Sequence, residues 1–371
     1  MPSQNKLNDT HFFVRLIKAS KFRFIFAAGI FGITIALLFY FFQSFPIEGS
    51  SLGIDWYGIW LGLHGGVPHY GTGLRNPPWS LLPLLPLGLL SFRSSWAALV
   101  LATILVEVVS IPHRSLEKID LPMTIFLILS YPSLRNIADG NLEVLPIAGV
   151  LLLLCSYRNQ NPWLMSGGIL LASGKPQVTW LLLATIAVFV IRTWPRKKIL
   201  VVAMLTSFIV LITSLLFGRE WLSALLTIEA RGSIMDISLF STLARLGAPL
   251  ILSCAVWIVL LGSTIYVAFS NIDIVDHFKA GLLISASLLL SPYAAGNSLL
   301  SIVAIGVVPL IQTDPKRGFA LGILINLGYL AIGHTSFIYS YGAYYTTIVV
   351  FAAWCIFAWK TRVMDATILA A

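Results

Sequence analysis

The sequence predicts an all-α polytopic membrane protein with about twelve transmembrane helices. Of the 371 residues, 58% are hydrophobic and 11% are charged, whereas soluble domains carry about 25% charged residues. The apolar blocks are long and continuous rather than alternating. Because backbone groups in lipid must satisfy their hydrogen bonds internally, these blocks predict helices rather than a β-barrel.

The formal charge of +9 has an explanation that involves no nucleic acid. Basic residues concentrate in the cytoplasmic loops of membrane proteins, and the cluster Arg192, Arg196, Lys197 and Lys198 is the clearest marker of that face. We therefore place both termini in the cytoplasm of a protein of the plasma membrane. The three cysteines lie in apolar segments at spacings that fit neither a disulfide framework nor a metal motif.

A single membrane domain is expected to span residues 1–371. A basic N-terminal stretch precedes the first crossing, and a retained helix is favoured there over a cleaved signal peptide. The predicted crossings are 24–42, 95–112, 120–133, 142–157, 162–174, 176–194, 199–217, 249–270, 280–291, 298–312, 318–333 and 343–359.

Two longer segments are predicted outside the membrane on its extracytoplasmic face, at 43–94 and 218–248. The apolar run 79–91 in the first segment is short and contains Pro83 and Pro86. It is predicted to lie in the interface rather than to cross, because a crossing there would move basic residues outward. These outer loops carry acids, aromatics and turn residues, so function is expected at this face.

Asp55 is the first candidate for chemistry. It follows the first predicted crossing and precedes Trp56 and Tyr57. A carboxylate at the edge of the membrane can accept a proton during a reaction. Asp is also a favoured N-cap of short helices, so position alone leaves a purely structural role open.

Two further segments place polar residues at the ends of predicted crossings. The segment 140–143, with Asn141 and Glu143, opens a helix whose N-terminus favours an anion; alternatively Glu143 only interacts with the helix dipole. Lys175, beside Gln177, lies between two apolar segments, where a charge is costly and indicates function. The alternative is a lysine that reaches the interface from a helix end.

The remaining polar residues fit fewer roles. The segment 76–79 is typical of a rigid elbow, because its prolines fix φ at a helix start, and an elbow can orient Arg75. Tyr293 follows a predicted helix at the outer face. His64 and His69 lack the spacing of a metal site. No segment matches a nucleotide-binding loop, a Ser/His/Asp triad or a zinc helix, so nucleotide sugars and ATP are not expected as direct substrates.

Taken in order, these segments resemble the GT-C membrane glycosyltransferases, and most closely glycosyltransferase family 87, the DUF2029 group. The resemblance spans about residues 24–300. It rests on the acid after the first helix, then N-P-P-W-S-L-L-P-L-L-P-L-G-L-L, G-N, L-L-A-S-G-K-P-Q and S-P-Y. This chain has G-N where many relatives have G-Q. The resemblance implies a GT-C-type bundle of 10–13 transmembrane helices with interfacial helices in the first outer loop.

The resemblance also implies a reaction, since the family includes polyprenol-phosphate-mannose-dependent mannosyltransferases. A hexose, with mannose as the expected sugar, would be transferred from a polyprenyl-phosphate donor to an extracytoplasmic glycolipid or glycan. The anomeric configuration would be inverted, and no metal or cofactor would be needed. Asp55 would be the general base. Cations for the donor phosphate would be Lys175 and Arg75, followed by Arg231 and Arg245. Candidates for binding sugar or acceptor are Tyr57, His64, Asn76, Asn141, Gln177 and Tyr293.

Two other classes of protein remain as alternatives. Transporters and flippases use short, interrupted helices such as those at 120–133 and 162–174 to bind substrate. The absence of paired halves, and the gathering of polar residues at one face, favour the enzyme. A non-catalytic scaffold would not need an acid and several cations on one side.

Overall fold

The computed structural model describes residues 29, 31–47, 52–70, 74–112, 120–226, 236–270, 275–333 and 336–370. Side chains are described throughout these ranges except in 331–333, 336–341 and 365–370. Within the described residues every regular element is a helix, and one isolated antiparallel bridge joins Asp236 to Ala295. The predicted all-α fold is therefore confirmed.

Sixteen helices run through the described part of the chain. In order they are α1 Phe31–Gln43, α2 Ile54–Leu63, α3 Pro78–Leu89, α4 Phe92–Ser110, α5 Leu121–Ile128, α6 Tyr131–Asp139, α7 Val144–Asn159, α8 Pro162–Ala172, α9 Pro176–Thr193, α10 Arg196–Leu226, α11 Leu239–Arg245, α12 Leu250–Phe269, α13 His277–Leu290, α14 Gly296–Thr313, α15 Pro315–Gly333 and α16 Ser336–Ala370.

Six of the described helices are long and apolar enough to cross a membrane, so the protein is membrane-embedded. They are α4, α9, α10, α12, α14 and the segment Gly342–Met364 of α16. Five shorter apolar helices accompany them: α1, α3, α7, α8 and α13. The predicted number of about twelve crossings is not confirmed. A helix of 11 residues such as α8 extends about 17 Å, well below the ~30 Å of a hydrocarbon core.

The crossing predicted at 120–133 is wrong, because two helices occupy this region. Helix α5 ends at Ile128, and Ser130 caps α6 by accepting a hydrogen bond from the backbone N–H of Ser133 at 3.4 Å. A helix-capping serine followed by Pro132 starts a new helix. The apolar run continues across this break, and hydropathy alone does not reveal it.

Short helices lie within both predicted outer segments. Helix α3 is one α-turn, Pro78–Leu81, followed by a 3₁₀ segment, Leu82–Leu89. Pro83 and Pro86 each remove a backbone donor, which interrupts the α-helical ladder. The second segment differs from expectation at its start, because α10 continues as a helix to Leu226. The placement of both segments outside the cell stays a prediction.

Helices α13 and α14 form the centre of the molecule. Every residue of α13 from Phe278 to Leu290 is buried, and so is 83% of α14. Gly306 of α14 lies against α16, where an added Cβ would come within 2.4 Å of the Phe357 ring. Small residues of this kind let membrane helices approach closely.

Helices α10 and α12 have the opposite character. Only 11% of the spanning window of α10 and 22% of that of α12 is buried, although both are strongly apolar. Helices that are apolar all round and yet exposed in an isolated chain are suited to contact with lipid. These two helices therefore belong to the lipid-facing surface.

Helix α9 runs from the Lys175 turn at one end of the molecule to the basic cluster at the other. Its 18 residues extend about 27 Å, nearly the thickness of a hydrocarbon core. Lys175 is its N-cap residue, and Arg192 lies in its last turn. The basic cluster that begins at Arg192 is thus one membrane thickness from Lys175.

Candidate active site

A close junction between α2 and α6 positions the first candidate residue. Gly53 precedes α2 with φ +68°, and its N–H donates to the carbonyl of Ala138 in α6 at 2.6 Å. Gly140 ends α6 with φ +70°, and an added Cβ there would lie 2.5 Å from Cβ of Trp56. Both positions favour glycine, because L side chains rarely adopt this region of φ. The junction holds Asp55, in the first turn of α2, next to the end of α6.

Four side chains from three segments form a continuous polar chain at this junction. Asn141 Nδ2 donates to Asp55 Oδ2 at 2.9 Å. Lys175 Nζ donates to Asn141 Oδ1 and to Glu143 Oε2, the latter at 2.8 Å. We call these residues the Asp55–Glu143 chain. The sequence candidates Asp55, Asn141 and Lys175 thus meet in space, although more than 100 residues separate the first from the last.

The Asp55–Glu143 chain runs from the surface into the core. The Asp55 side chain is exposed, Lys175 is 9% exposed and Glu143 is 0% exposed. Glu143 Oε1 accepts from Ser301 Oγ at 2.5 Å, and Oε2 also accepts from Ser298 Oγ at 3.4 Å. A buried carboxylate is tolerated when a cation and hydroxyl donors satisfy it in this way. The inner end of the chain is therefore anchored in α14.

The predicted elbow at 76–79 holds the turn that carries Lys175. Asn76 Nδ2 donates to the carbonyl of Gly174 at 2.9 Å, and Trp79 Nε1 donates to Ser173 Oγ at 2.8 Å. The side-chain amide of Asn76 thus contacts protein backbone. Its described contact indicates a role in fixing the Lys175 turn.

Arg75 lies at the rim of the same region and is exposed. Its carbonyl accepts a hydrogen bond from Trp221 Nε1 of α10 at 3.0 Å, and the Trp221 ring packs edge-to-face on Trp79 with centroids 5.4 Å apart. The backbone of Arg75 is held while its guanidinium remains in solvent. A cation so placed is accessible to an anionic ligand.

Tyr293 shares the electrostatic environment of these residues. Burial raises its pKa, and the negative charges of Asp236 and Asp55 act in the same direction, whereas the positive charge of Arg75 lowers it. Asp55 and Arg75 therefore both contribute to the electrostatic environment of Tyr293.

Asp139 is a second carboxyl close to Asp55, and sequence reasoning did not select it. It lies two residues before Asn141, and its Oδ2 forms a salt bridge with Arg135 Nη2 at 2.8 Å. Burial raises the pKa of Asp139 to about 6; the charge of Arg135 opposes this shift and that of Asp55 adds to it. The site therefore contains two carboxyl groups in different environments.

Two predicted sugar-binding residues lie elsewhere on α2. Tyr57 follows Asp55 by two residues, which places it about 200° around the helix. Its ring packs against Phe92 at 5.2 Å, and the His64 ring lies 4.9 Å from that of Trp60. The described contacts do not join Tyr57 or His64 to the Asp55–Glu143 chain.

The other predicted residues surround the site at greater distance. Gln177 is in the first turn of α9, where its carbonyl accepts from Ser291 Oγ at 3.0 Å. Arg245, at the end of α11, donates through Nη2 to the carbonyl of Asp236. These contacts brace the loop that carries Tyr293. Arg231 lies outside the described residues.

Comparison with known proteins identifies the family. A profile of glycosyltransferase family 87 matches residues 75–292, which is more than half of the 371-residue chain. The matched region contains Asn141, Glu143 and Lys175 and begins at Arg75. Searches of curated proteins and of solved structures returned no match. The profile match confirms the resemblance seen in the sequence: the chain belongs to glycosyltransferase family 87 and is a membrane glycosyltransferase.

Proposed function

We propose that the protein transfers a hexose, with mannose as the first candidate, from a polyprenyl-phosphate donor to a glycolipid or glycan at the outer face of the plasma membrane. The observation that carries this proposal is the exposed carboxylate of Asp55, which Asn141 holds in place and which, like Arg75, influences Tyr293 electrostatically. An inverting transfer needs one base and a stabilised leaving group. Asp55 can supply the base, and the exposed cation Arg75 can stabilise the leaving phosphate.

The reaction proceeds in a single displacement. The acceptor hydroxyl oxygen attacks the anomeric carbon while Asp55 takes the hydroxyl proton. The bond between the anomeric carbon and the phosphate oxygen breaks, and the polyprenyl phosphate leaves with the bonding electron pair. Positive charge develops on the sugar ring, as in an oxocarbenium-like transition state.

Of the predicted phosphate-binding cations, the geometry supports Arg75 first. Its guanidinium is exposed and electrostatically coupled to Tyr293, so a lipid phosphate can reach it. Arg245 donates to a backbone carbonyl, which supports a bracing role in the loop near Tyr293. Arg231 retains its predicted role as a further phosphate ligand.

Lys175 has a different place in the proposal. It is mostly buried and already contacts Glu143 and Asn141. Lysine only donates hydrogen bonds, and an ionised carboxylate only accepts them. The amide of Asn141 must therefore present its oxygen to Lys175 and its nitrogen to Asp55. We assign Lys175 the role of orienting Asn141, which in turn orients the base.

Sugar and acceptor contacts are expected around Tyr293 and Gln177. Tyr293 is half-buried and feels the charges of both Asp55 and Arg75, and its ring and hydroxyl are suited to contact with a sugar. Gln177 is half-buried and lies two residues after Lys175. Its backbone carbonyl accepts from Ser291 Oγ, next to the loop that carries Tyr293, which supports these two residues ahead of Tyr57 and His64.

Transfer by the purified full-length protein tests the proposal directly. Labelled polyprenyl-phosphate hexoses are supplied with candidate glycolipid and glycan acceptors, and product is measured for the wild type and Asp55→Asn. Loss of a general base lowers rate by about 10²–10⁴-fold, and we expect a loss in that range. Asp314→Asn is the matched control, because that partly exposed carboxylate pairs with Arg317 on another loop.

Two outcomes would overturn parts of the proposal. Undiminished transfer by Asp55→Asn removes Asp55 as the base. No transfer from any polyprenyl donor, together with substrate flux into vesicles, favours the transporter alternative. The division of the predicted 120–133 crossing into α5 and α6 is the observation that keeps this alternative under test.

A further inference from the structure

A cavity of about 540 Å³ lies between α12 and α16, away from the Asp55–Glu143 chain. Its lining combines small residues, Val267, aromatic rings and the basic side chain of Arg362. An added Cβ on Gly262 would meet no atom within 4 Å, so the lining opens into free space there. The residues that define the cavity are Gly262, Ser263, Tyr266, Trp354, Trp359 and Arg362.

The cavity is at the basic end of the molecule. Phe269, which ends α12, lies below the guanidinium of Arg192 at 5.6 Å and against the Phe189 ring at 5.1 Å. Arg192 is in the last turn of α9, and Lys175 is at the other end of that helix. The cavity is therefore separated from the candidate active site by about the thickness of the bilayer core.

Three cations surround the aromatic side of the cavity. Arg362 lies over the Tyr266 ring at 5.1 Å, and Arg317 lies over the Trp359 ring at 4.2 Å. Lys360 Nζ is 6.0 Å from the Trp359 ring centroid. Asp314 pairs with Arg317 at 2.6 Å, which neutralises one of the three. The local charge remains positive and complements an anion.

The neighbouring surface is apolar. Helix α12 exposes Val259 and Ile265 on either side of the cavity residues. Trp354 Nε1 of α16 donates to Thr264 Oγ1 of α12 at 2.9 Å. A ligand that fits this region must combine an anionic head with an apolar tail.

We propose that the cavity binds the phosphate headgroup of an acidic phospholipid from the leaflet at the basic face. Arg362 would contact the phosphate, Tyr266 and Trp359 would surround the glycerol region, and the acyl chains would follow α12. Basic pockets between membrane helices on the basic side suit anionic lipid headgroups, and aromatic residues favour this depth. The bound lipid would hold α12 against α16, which is the more buried of the two helices.

Lipid retention by the intact protein tests this proposal. The full chain is purified, exposed to phosphatidylglycerol or phosphatidylcholine, and the bound lipid is counted by native mass spectrometry, with the unfolding temperature as a second measurement. We expect preferential retention of phosphatidylglycerol and a higher unfolding temperature with it. Arg362→Gln should weaken retention about fivefold, which corresponds to the ~1 kcal/mol of one basic residue at an anionic surface.

Two further variants keep the test specific. Gly262→Phe fills the cavity while retaining all three cations, and it should reduce phosphatidylglycerol retention as Arg362→Gln does. Lys197→Gln removes a charge from an exposed lysine at the same face and should leave retention unchanged. Lipid retention and unfolding temperature are both measured without sugar transfer, so their outcome is independent of the proposed transferase reaction.

Three results would overturn the proposal. Retention that is equal for both phospholipids shows that the headgroup charge is not recognised. An equal loss in Lys197→Gln shows general surface attraction instead of a site. Preference for a polyprenyl phosphate over phosphatidylglycerol, removed by Arg362→Gln, assigns the cavity to the lipid product of the transferase.

Discussion

At the scale of single residues, the orientation of one amide determines the candidate site. Asn141 contacts a donor on one side, Lys175, and an acceptor on the other, Asp55. A lysine ammonium only donates hydrogen bonds and a carboxylate only accepts them, so the amide has one favourable orientation. Glu143 sets this arrangement from the core by holding Lys175. A residue that is 0% exposed thereby controls a carboxylate at the surface.

Substitution of Lys175 tests its assignment as an orienting residue. Lys175→Met leaves Glu143 buried without its cation, which costs about 3–5 kcal/mol in comparable pairs. We expect a large fall in unfolding temperature. The double variant Lys175→Met/Glu143→Gln should recover much of that stability, because no uncompensated charge remains buried.

Kinetics of the stable double variant then separate two roles for Lys175. If Lys175 orients Asn141 and the base, kcat falls while KM for the donor changes little. A rise in donor KM with kcat preserved would instead assign Lys175 to the donor phosphate. Lys198→Met is a suitable control, since Lys198 contacts Gln160 near the opposite end of α9.

The pH dependence of stability tests the environment of Asp139. Its pKa is raised from 3.8 to about 6 in the folded protein, so the folded state holds a proton that the unfolded chain releases between these values. Stability from this group is complete below about pH 4 and is lost as pH rises to about 6. Asp139→Asn should remove this loss. The unfolding temperature of the variant, relative to that of the wild type, should therefore increase as pH rises from about 4 to about 6.

Asp314→Asn provides a comparison of opposite sign for that measurement. Hydrogen bonds from Arg317 lower the pKa of Asp314, so this carboxylate contributes stability above its ordinary pKa rather than below it. A difference between Asp139→Asn and wild type that is constant from pH 4 to pH 7 would contradict the assigned environment of Asp139.

At the scale of elements, the site depends on where helices end. Helix α6 stops at Gly140, α8 stops before the Lys175 turn, and α2 begins beside the last turn of α6. Each end is fixed by local chemistry: a glycine with positive φ, a proline that starts α9, and a backbone hydrogen bond between two helices. Long continuous helices could not bring Asp55, Asn141 and Lys175 together.

Gly140→Ala tests the importance of such an ending. The backbone at φ +70° disfavours alanine by about 1–2 kcal/mol, and the new Cβ would lie 2.5 Å from Trp56. We expect lower stability and reduced sugar transfer, because Asn141 follows directly. Gly167→Ala in α8 is the matched control: its Cβ would meet an atom no closer than 3.9 Å, and alanine is favoured within a helix. Equal behaviour of the two variants would show that the α2–α6 junction tolerates movement.

At the scale of the whole molecule, hydropathy predicts most of the helices but not which of them cross the membrane. Helices such as α4, α9 and α12 occur within a few residues of their predicted positions, because each follows one uninterrupted apolar run. The break between α5 and α6 lies inside such a run, and serine and proline at its centre are the local signal. Short helices such as α8 explain why a count of apolar blocks does not give the number of crossings.

The site was predictable in part for a related reason. Asp55, Asn141 and Lys175 are polar residues at the ends of apolar segments, and this position distinguishes them in the sequence. Glu143 gains its importance from Lys175 and Ser301, which folding brings to it from distant segments. Pairing across this distance leaves no pattern in a single sequence. Asp139 differs, because its partner Arg135 lies four residues earlier on the same helix, and this spacing is the local signal that could have selected it.

Helix α10 links the lipid-facing surface directly to the candidate site, since Trp221 on this exposed apolar helix contacts the backbone of Arg75. Under the proposed function, a lipid-linked donor would reach Arg75 along α10 by two-dimensional diffusion. Its effective concentration is then a mole fraction in the bilayer rather than an amount per volume of buffer. Transfer rates should accordingly fall when inert lipid is added at constant total donor, which makes the surface composition of the membrane a kinetic variable of this protein.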